Sequence, residues 1–483
     1  MRPVAVERRP SRAQEIAVVG GGIGGLAVAI RLRARGHQVT VYERNAVPGG
    51  KLAVLERDGF TFDIGPSLVT LPHLYDELFR CAGTTLAAEV PLVRLDPQFR
   101  YRWRSGRRVE VADDGCDVAG YREFVDRGRT IWNVSERTFF AGPMSGPWSL
   151  AKRLRRVRDL TDIDPLHSLH AAATRVFGGD PEMVQWAGRY ATYSGSSPFR
   201  APATLGCIAH VEHEYGCWYP MGGLGVLRDG FVRVAERSGV RIVCGTEVRT
   251  ITTAGDRVTG LVLADGTAVA ADIVVANADA THLYRDLVPD ARALRRVRRA
   301  PPSTSGFVIC AGVGGTTADI AHHNVWFSDD SRREFDQIAD GEFPDDPTIY
   351  ACVSSVTDET QSPVGHENWF VLVNVAAGAS FDREACTALV LDQLASHGVD
   401  LRDRVLFTET LTPDDLERRH RSPGGAIYGS SSNGRRAAFV RPRNRGARRG
   451  LYLVGGSSHP GGGLPLVTIS ARIVDDMIEH GHR

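Results

Sequence analysis

The feature that most constrains this chain is a glycine turn, Gly20-Gly21-Gly22-Ile23-Gly24-Gly25, set between an apolar run, Ile16-Ala17-Val18-Val19, and a helical stretch from Leu26 to Arg35. A strand, a tight turn and a helix in that order build an anion-binding corner. The helix offers unpaired N–H groups, and a turn without side chains lets a phosphate come close. In that scheme Gly20 makes the turn, Gly22 admits a pyrophosphate and Gly25 lets helix and strand pack closely. The next apolar run, Gln38 to Tyr42, ends at Glu43, whose carboxylate accepts hydrogen bonds from ribose hydroxyls and repels a 2′-phosphate. The pattern predicts a dinucleotide site. Its continuation from Glu43 to Gly49-Gly50-Lys51 returns a glycine pair and a cation to the pyrophosphate, which favours FAD over NAD. A plain surface turn is the alternative for Gly49-Gly50.

A second glycine turn, Gly461-Gly462-Gly463-Leu464-Pro465, lies at the other end of the chain, and the run Asp272-Ile273-Val274-Val275-Ala276 ends at a polar tip near Asn277 in the middle. Residues 241–276 read as a strand, Arg241 to Val248, continued by a small antiparallel meander. The expected fold is therefore α/β: a discontinuous Rossmann-like FAD-binding domain at 15–100, 216–299 and 441–483, with an α+β substrate-binding domain at 101–215 and 300–440. A basic tail at 1–14 precedes them. Strand-like runs at Gly306 to Cys310 and Trp369 to Val375 belong to the substrate-binding part.

With 58 basic and 57 acidic residues, the chain carries no global field for nucleic acid. Eight cysteines include no C-x-x-C pair and no His/Cys metal spacing, so no metal is expected and the thiols read as those of a reducing compartment. Arg2, Arg8, Arg9 and Arg12 precede no apolar segment of the secretory kind, and no stretch reaches the length of a membrane span. A cytoplasmic protein touching membranes only at its surface is expected. The contact expected is a helix from Pro147 to Arg158 with Leu150, Leu154 and Val157 on one face and Lys152, Arg153, Arg155, Arg156 and Arg158 around the rest. An ordinary solvated helix with its apolar stripe turned inward is the alternative.

Several longer motifs follow one another in a familiar order: Phe62-Asp63-Ile64-Gly65-Pro66-Ser67, Tyr193-Ser194-Gly195-Ser196-Ser197-Pro198, Trp218-Tyr219-Pro220-Met221-Gly222-Gly223, His322-His323-Asn324-Val325-Trp326-Phe327 and Leu451 to Arg472. On these the chain resembles, over nearly its whole length, the bacterial phytoene-desaturase group of carotenoid desaturases within the flavin amine-oxidase superfamily. The resemblance implies FAD, with Gly20, Gly22 and Gly25 at the pyrophosphate, Glu43 at the ribose, Gly50 and Lys51 beside the phosphates and ribityl chain, and Val248 meeting adenine through its backbone. Ile23, Gly65, Pro66, Ser67, Asn277 and Gly456 complete the implied set, and Gly463-Leu464-Pro465 would open a helix running to about Ile478 whose positive end faces the flavin ring. Lys51 departs from the arginine common at this place, replacing a bidentate fork by a point charge.

The same resemblance implies a lipophilic carotenoid substrate drawn from a membrane surface and oxygen or a quinone as final acceptor. The closing Gly455-Gly456-Ser457-Ser458-His459-Pro460-Gly461 differs from the usual phytoene-desaturase ending and is similar to a branch acting late, on hydroxylated or conjugated carotenoids. Hydride loss to the flavin, lengthening the conjugated system, is the expected reaction. For the accompanying proton, His459, Asp63, His323 and Glu212 are candidates, and for His459 a structural loop hydrogen bond outweighs a catalytic role. Alternatives on the same fold are a redox-neutral carotene isomerase and a flavin amine oxidase; a non-catalytic carotenoid carrier is a third.

Overall fold

Five short runs rich in Ile, Val and Ala line up as one parallel sheet, in the order Leu451–Leu453, Ile273–Ala276, Glu15–Val19, Gln38–Tyr42 and Arg241–Val243. This is a computed structural model, and it describes residues 13–156, 158–434 and 437–481. The tail cations Arg2, Arg8, Arg9 and Arg12, Val157 and the side chain of Leu150 lie outside the described residues. Ile16, Val18, Val41, Val274 and Val275 are all buried, as a parallel sheet covered on both faces requires. The helix after the glycine turn, Ile23–Ala34, is buried from Ile23 through Leu32 because it lies between the helices Leu464–Glu479 and Leu224–Arg237.

The run expected as one strand from Arg241 to Val248 is two. Arg241–Val243 joins the parallel sheet, and Val248–Ala254 pairs antiparallel with Arg257–Leu263, which pairs with Ala268–Ala270. Gly245, at φ +64°, turns the chain between them.

A second sheet of seven strands runs in the order Val405–Leu411, Ser305–Gly314, His366–Val375, Ile349–Cys352, His323–Trp326, Phe99–Arg102 and Arg108–Val111. Its two longest strands are strictly in register, Phe307 opposite Val373 and Cys310 opposite Phe370. The two-residue period divides them cleanly. Phe307, Ile309, Trp369, Val371 and Val373 face the helix Arg383–Ser396 through Val390 and Leu394, whereas Val308, Cys310, Phe370 and Leu372 face Phe60, Phe62 and Ile64. A division of the chain at 100/101 would cut the strand Phe99–Arg102, so we propose that the substrate-binding part starts before Phe99.

The expected interfacial helix is broken. One turn spans Pro147–Ala151 and another Arg158–Asp162, and residues 152–156 are not helical. The break has visible causes: Arg153 donates to the carbonyls of Thr138, Gly142 and Pro143, and Asp159 accepts the backbone N–H groups of Arg155 and Arg156. Arg153 is thus a structural clamp.

Candidate active site

The two sheets and the two glycine turns enclose one continuous cavity of about 510 Å³. At one end the turn after Glu15–Val19 supplies Gly20, Gly22, Ile23 and Gly24 to its wall. Gly20 sits at φ +97° and donates its N–H to the carbonyl of Tyr42 at 2.8 Å, which holds the turn against the neighbouring strand. Gly25 does not line the cavity; a Cβ there would come within 2.2 Å of the Gly20 carbonyl, so it serves helix packing. At Gly22 a Cβ would approach Asn277 Nδ2 to 2.7 Å and fill the space before the helix. This is a cradle that any side chain would close.

Glu43, buried beside it, has both oxygens engaged from its own chain. Oε2 accepts the Gly21 N–H at 2.7 Å, and Oε1 accepts the backbone and side-chain N–H groups of Asn45 at 2.9 and 2.8 Å. Oε2 keeps capacity for a further hydrogen bond, and Glu43 lines the cavity. Val248, Asn277, Gly50, Gly65, Pro66, Ser67 and Gly456 also line the cavity, together with Gly463, Leu464 and Pro465 at the start of the helix Leu464–Glu479. Gly463, at φ +106°, makes the turn into that helix, whose first residues form part of the cavity wall.

Lys51 lines the wall and donates to the carbonyls of Ala426 and Ile427 at 3.1 and 2.7 Å. Burial pushes its ammonium down to about 8, against the opposing pull of Asp279. The adjoining His420 is pushed down to about 3 by burial and by the Lys51 charge, so its ring is neutral beside the lysine.

The far end is floored by the sheet face described above: Val308, Phe370 and Leu372, with Val325 and Phe327, carry their side chains into the same cavity. Tyr350 hydroxyl meets Ser67 Oγ at 2.5 Å and His323 Nδ1 at 2.9 Å, linking the wall to a buried histidine pair. Burial holds His322 at about 3 and His323 well below its ordinary value, so both rings are neutral. Spacing carried no metal signal, yet the fold brings donor atoms of His322, His323 and Cys352 within 4.8 Å of one another.

None of the four proton-handling candidates lines the cavity. His459 meets loop carbonyls: its Nε2 lies 3.0 and 3.2 Å from the carbonyls of Phe139 and Gly142, its ring packs edge-on to Phe139, and burial pushes it to about 4. Asp63, pushed up to about 7 by burial, accepts the Leu224 N–H at 2.8 Å and caps that helix. Glu212 is buried behind Tyr190 and Tyr193, whose hydroxyls donate to it, and burial pushes it up. Sequence reasoning missed Arg189, Tyr350 and Tyr428, all in the wall. A charged residue inside the aromatic run Trp186 to Tyr193 was the signal available for the first.

The profile of the flavin-containing amine oxidoreductase family matches residues 23–474. The chain belongs to this family. As a flavin-containing amine oxidoreductase it is an FAD-dependent oxidoreductase, and the cradle at Gly22, the acid at Glu43 and the helix start at Gly463 are the parts that fit such a dinucleotide. It is 33% identical to a 4,4′-diapolycopene oxygenase of Methylomonas sp, over 96% of this chain and 98% of the relative. It is also 33% identical to a 4,4′-diaponeurosporene oxygenase of Staphylococcus haemolyticus, over 96% and 97%. Solved structures share the fold of this flavin oxidoreductase: an oxidoreductase from Methanosarcina mazei at TM-score 0.66 and 18% identity, covering 95% of this chain and 99% of that one. A putrescine oxidase bound to putrescine follows at 0.65 and 15%, covering 96% and 98%.

Proposed function

We propose that this flavin oxidoreductase oxidises an acyclic carotenoid near the end of its chain. The observation that carries the reading is the continuous cavity, which joins a dinucleotide cradle to an apolar floor of Val308, Phe370 and Leu372. Full-length similarity to two enzymes named as oxygenases of acyclic diapocarotenoids supports it. Bound FAD would supply the two-electron acceptor for an allylic hydride, with oxygen or a quinone as final oxidant. The chain's own part is to hold the polyene against the sheet face and to exclude bulk water with Phe327 and Phe370. His322 and His323 stay neutral behind the wall.

Two outcomes compete. Terminal oxygenation, favoured by the relatives' names, adds oxygen to the substrate; desaturation of a phytoene-like or hydroxylated carotenoid removes hydrogen pairs and shifts absorption to the red. Product masses from a panel of acyclic carotenoids separate them, and a product isomeric with its substrate would sink both.

Such a substrate lives in a bilayer, so we propose a peripheral membrane contact at the broken segment. Trp148 is 82% exposed, Leu166 62% and Leu160 46%, and Lys152, Arg155, Arg156 and Arg158 are exposed beside them. Among the described residues no helix is long and apolar enough to cross a membrane.

A further inference from the structure

Arg189 stands where an apolar cavity has no use for a charge. It follows the helix Pro181–Gly188 and lines the wall together with Val184, Gly188 and Tyr193. Its guanidinium is fixed from behind: Nη1 donates to the Tyr101 hydroxyl at 2.8 Å and Nη2 to the Tyr193 hydroxyl at 2.7 Å. Its guanidinium carbon lies over the rings of Phe99 and Tyr193, 4.1 and 5.0 Å from their centroids. The balancing charge is Glu212, to which it is linked through the Tyr193 hydroxyl, and no carboxylate pairs directly with Arg189 among the described residues. Two of its five N–H donors are used by those hydroxyls, and no further protein acceptor meets the rest among the described residues.

Arg189 shares the cavity wall with Tyr350, which is bonded to Ser67, and with Tyr428, Gly462 and Gly463. A hydrocarbon offers a guanidinium nothing, and a buried cation without an acceptor is costly. A group that only donates requires a ligand oxygen that accepts, and it binds a carbonyl or carboxylate oxygen more strongly than a hydroxyl.

We infer that Arg189, held by Tyr101, Tyr193 and Glu212, is the specificity-determining residue for an oxygen already present on the end of the polyene, an aldehyde or carboxylate above all. The inference rests on the reading of the cavity as a carotenoid site. It makes the enzyme a binder of partly oxidised chains, so that a preceding oxidation of the same chain end supplies its preferred substrate.

The test uses the FAD-loaded protein, reduced and kept anaerobic so that nothing is oxidised during titration. Binding of an acyclic polyene hydrocarbon and of its terminal alcohol, aldehyde and carboxylate is followed by the shift of polyene absorption. The unaltered protein should bind the aldehyde and carboxylate at least tenfold more tightly than the hydrocarbon. In Arg189→Leu the ratio should fall to within twofold, with hydrocarbon affinity and flavin content retained; Arg189→Lys should keep part of the carboxylate preference. Should Arg189→Leu fail to fold around its isolated acid, Arg189→Leu with Glu212→Gln removes both charges, and Tyr193→Phe loosens the guanidinium without removing it. A preference that survives in the leucine variants, or is absent from the unaltered protein, overturns the inference and leaves the carotenoid reading standing. Failure of every polyene to bind overturns both.

Discussion

Gly22 and Gly25 sit three residues apart, yet they should fail in different ways. At Gly22 the added Cβ meets the tip of the Asn277 amide, which can swing, so Gly22→Val should fold and lose the space for a pyrophosphate. At Gly25 it meets the Gly20 carbonyl at 2.2 Å, a backbone atom fixed by the parallel sheet, and Gly25→Val should cost about 3 kcal/mol or more and yield little folded protein. Flavin absorbance per folded molecule separates the two: near zero for the first, with too little soluble protein for the second. Recovery of a fully flavin-loaded Gly22→Val would show the cradle to be misplaced. Both glycines were readable in the sequence because a strand and a helix flank them. The second duty of Glu43, holding the Gly21 N–H and Asn45, was not, since it depends on the turn's own shape. Lys51 gives a pH signature. Its ammonium is depressed to about 8, and a bound phosphate beside it would raise that value. FAD affinity should then be full below pH 8 and fall above it, by at most tenfold per pH unit, a step that Lys51→Met should abolish. A flat dissociation constant from pH 6.5 to 9.5 would place this lysine away from the phosphates.

At the scale of elements, period and context decided what could be read. The strands Ser305–Gly314 and His366–Val375 announced themselves by β-branched and aromatic runs, and their alternation now explains which residues floor the cavity and which bury under a helix. The segment from Pro147 to Arg158 misled because its helical spacing was real while its partners were distant: carbonyls at 138, 142 and 143 claim Arg153, and Asp159 claims the backbone ahead of it. The membrane prediction changes accordingly. Neutralising Lys152, Arg155, Arg156 and Arg158 together with Trp148→Ala should weaken binding to anionic liposomes, each exposed cation contributing on the order of 1 kcal/mol. Neutralising Arg153 should instead lower the melting temperature. Unchanged pelleting of the five-site variant would assign the segment to ordinary solvent.

Over the whole molecule, the two cofactor signatures are far apart in sequence because the chain's ends are sewn together in space. The helix Ile23–Ala34 packs along Leu464–Glu479, Arg35 bonds Asp475 at 3.2 Å, and His37 Nε2 meets Glu479 at 2.8 Å. Sequence showed that both ends belonged to one site but not which residues join them, because a charged pair between ends has no local pattern. Asp475 is buried, with only 3% of its side chain exposed, and desolvation raises its pKa despite Arg35. Removing Arg35 leaves that acid without its partner, at a cost of about 2 to 3 kcal/mol when it is ionised. The sign follows from the raised value. A carboxyl whose folded pKa lies above its unfolded one favours folding in its protonated form, and that advantage is lost as pH rises through the folded pKa. Arg35→Ala should therefore be destabilised more at pH 8 than at pH 5, and Arg35→Ala with Asp475→Asn should recover most of the loss at pH 8. Because the same helix opens at Gly463 into the cavity wall, flavin release on heating should move with unfolding in all three proteins. A pH-independent loss in Arg35→Ala, or flavin release that precedes unfolding, would show that this pair does not tie the two ends of the site together.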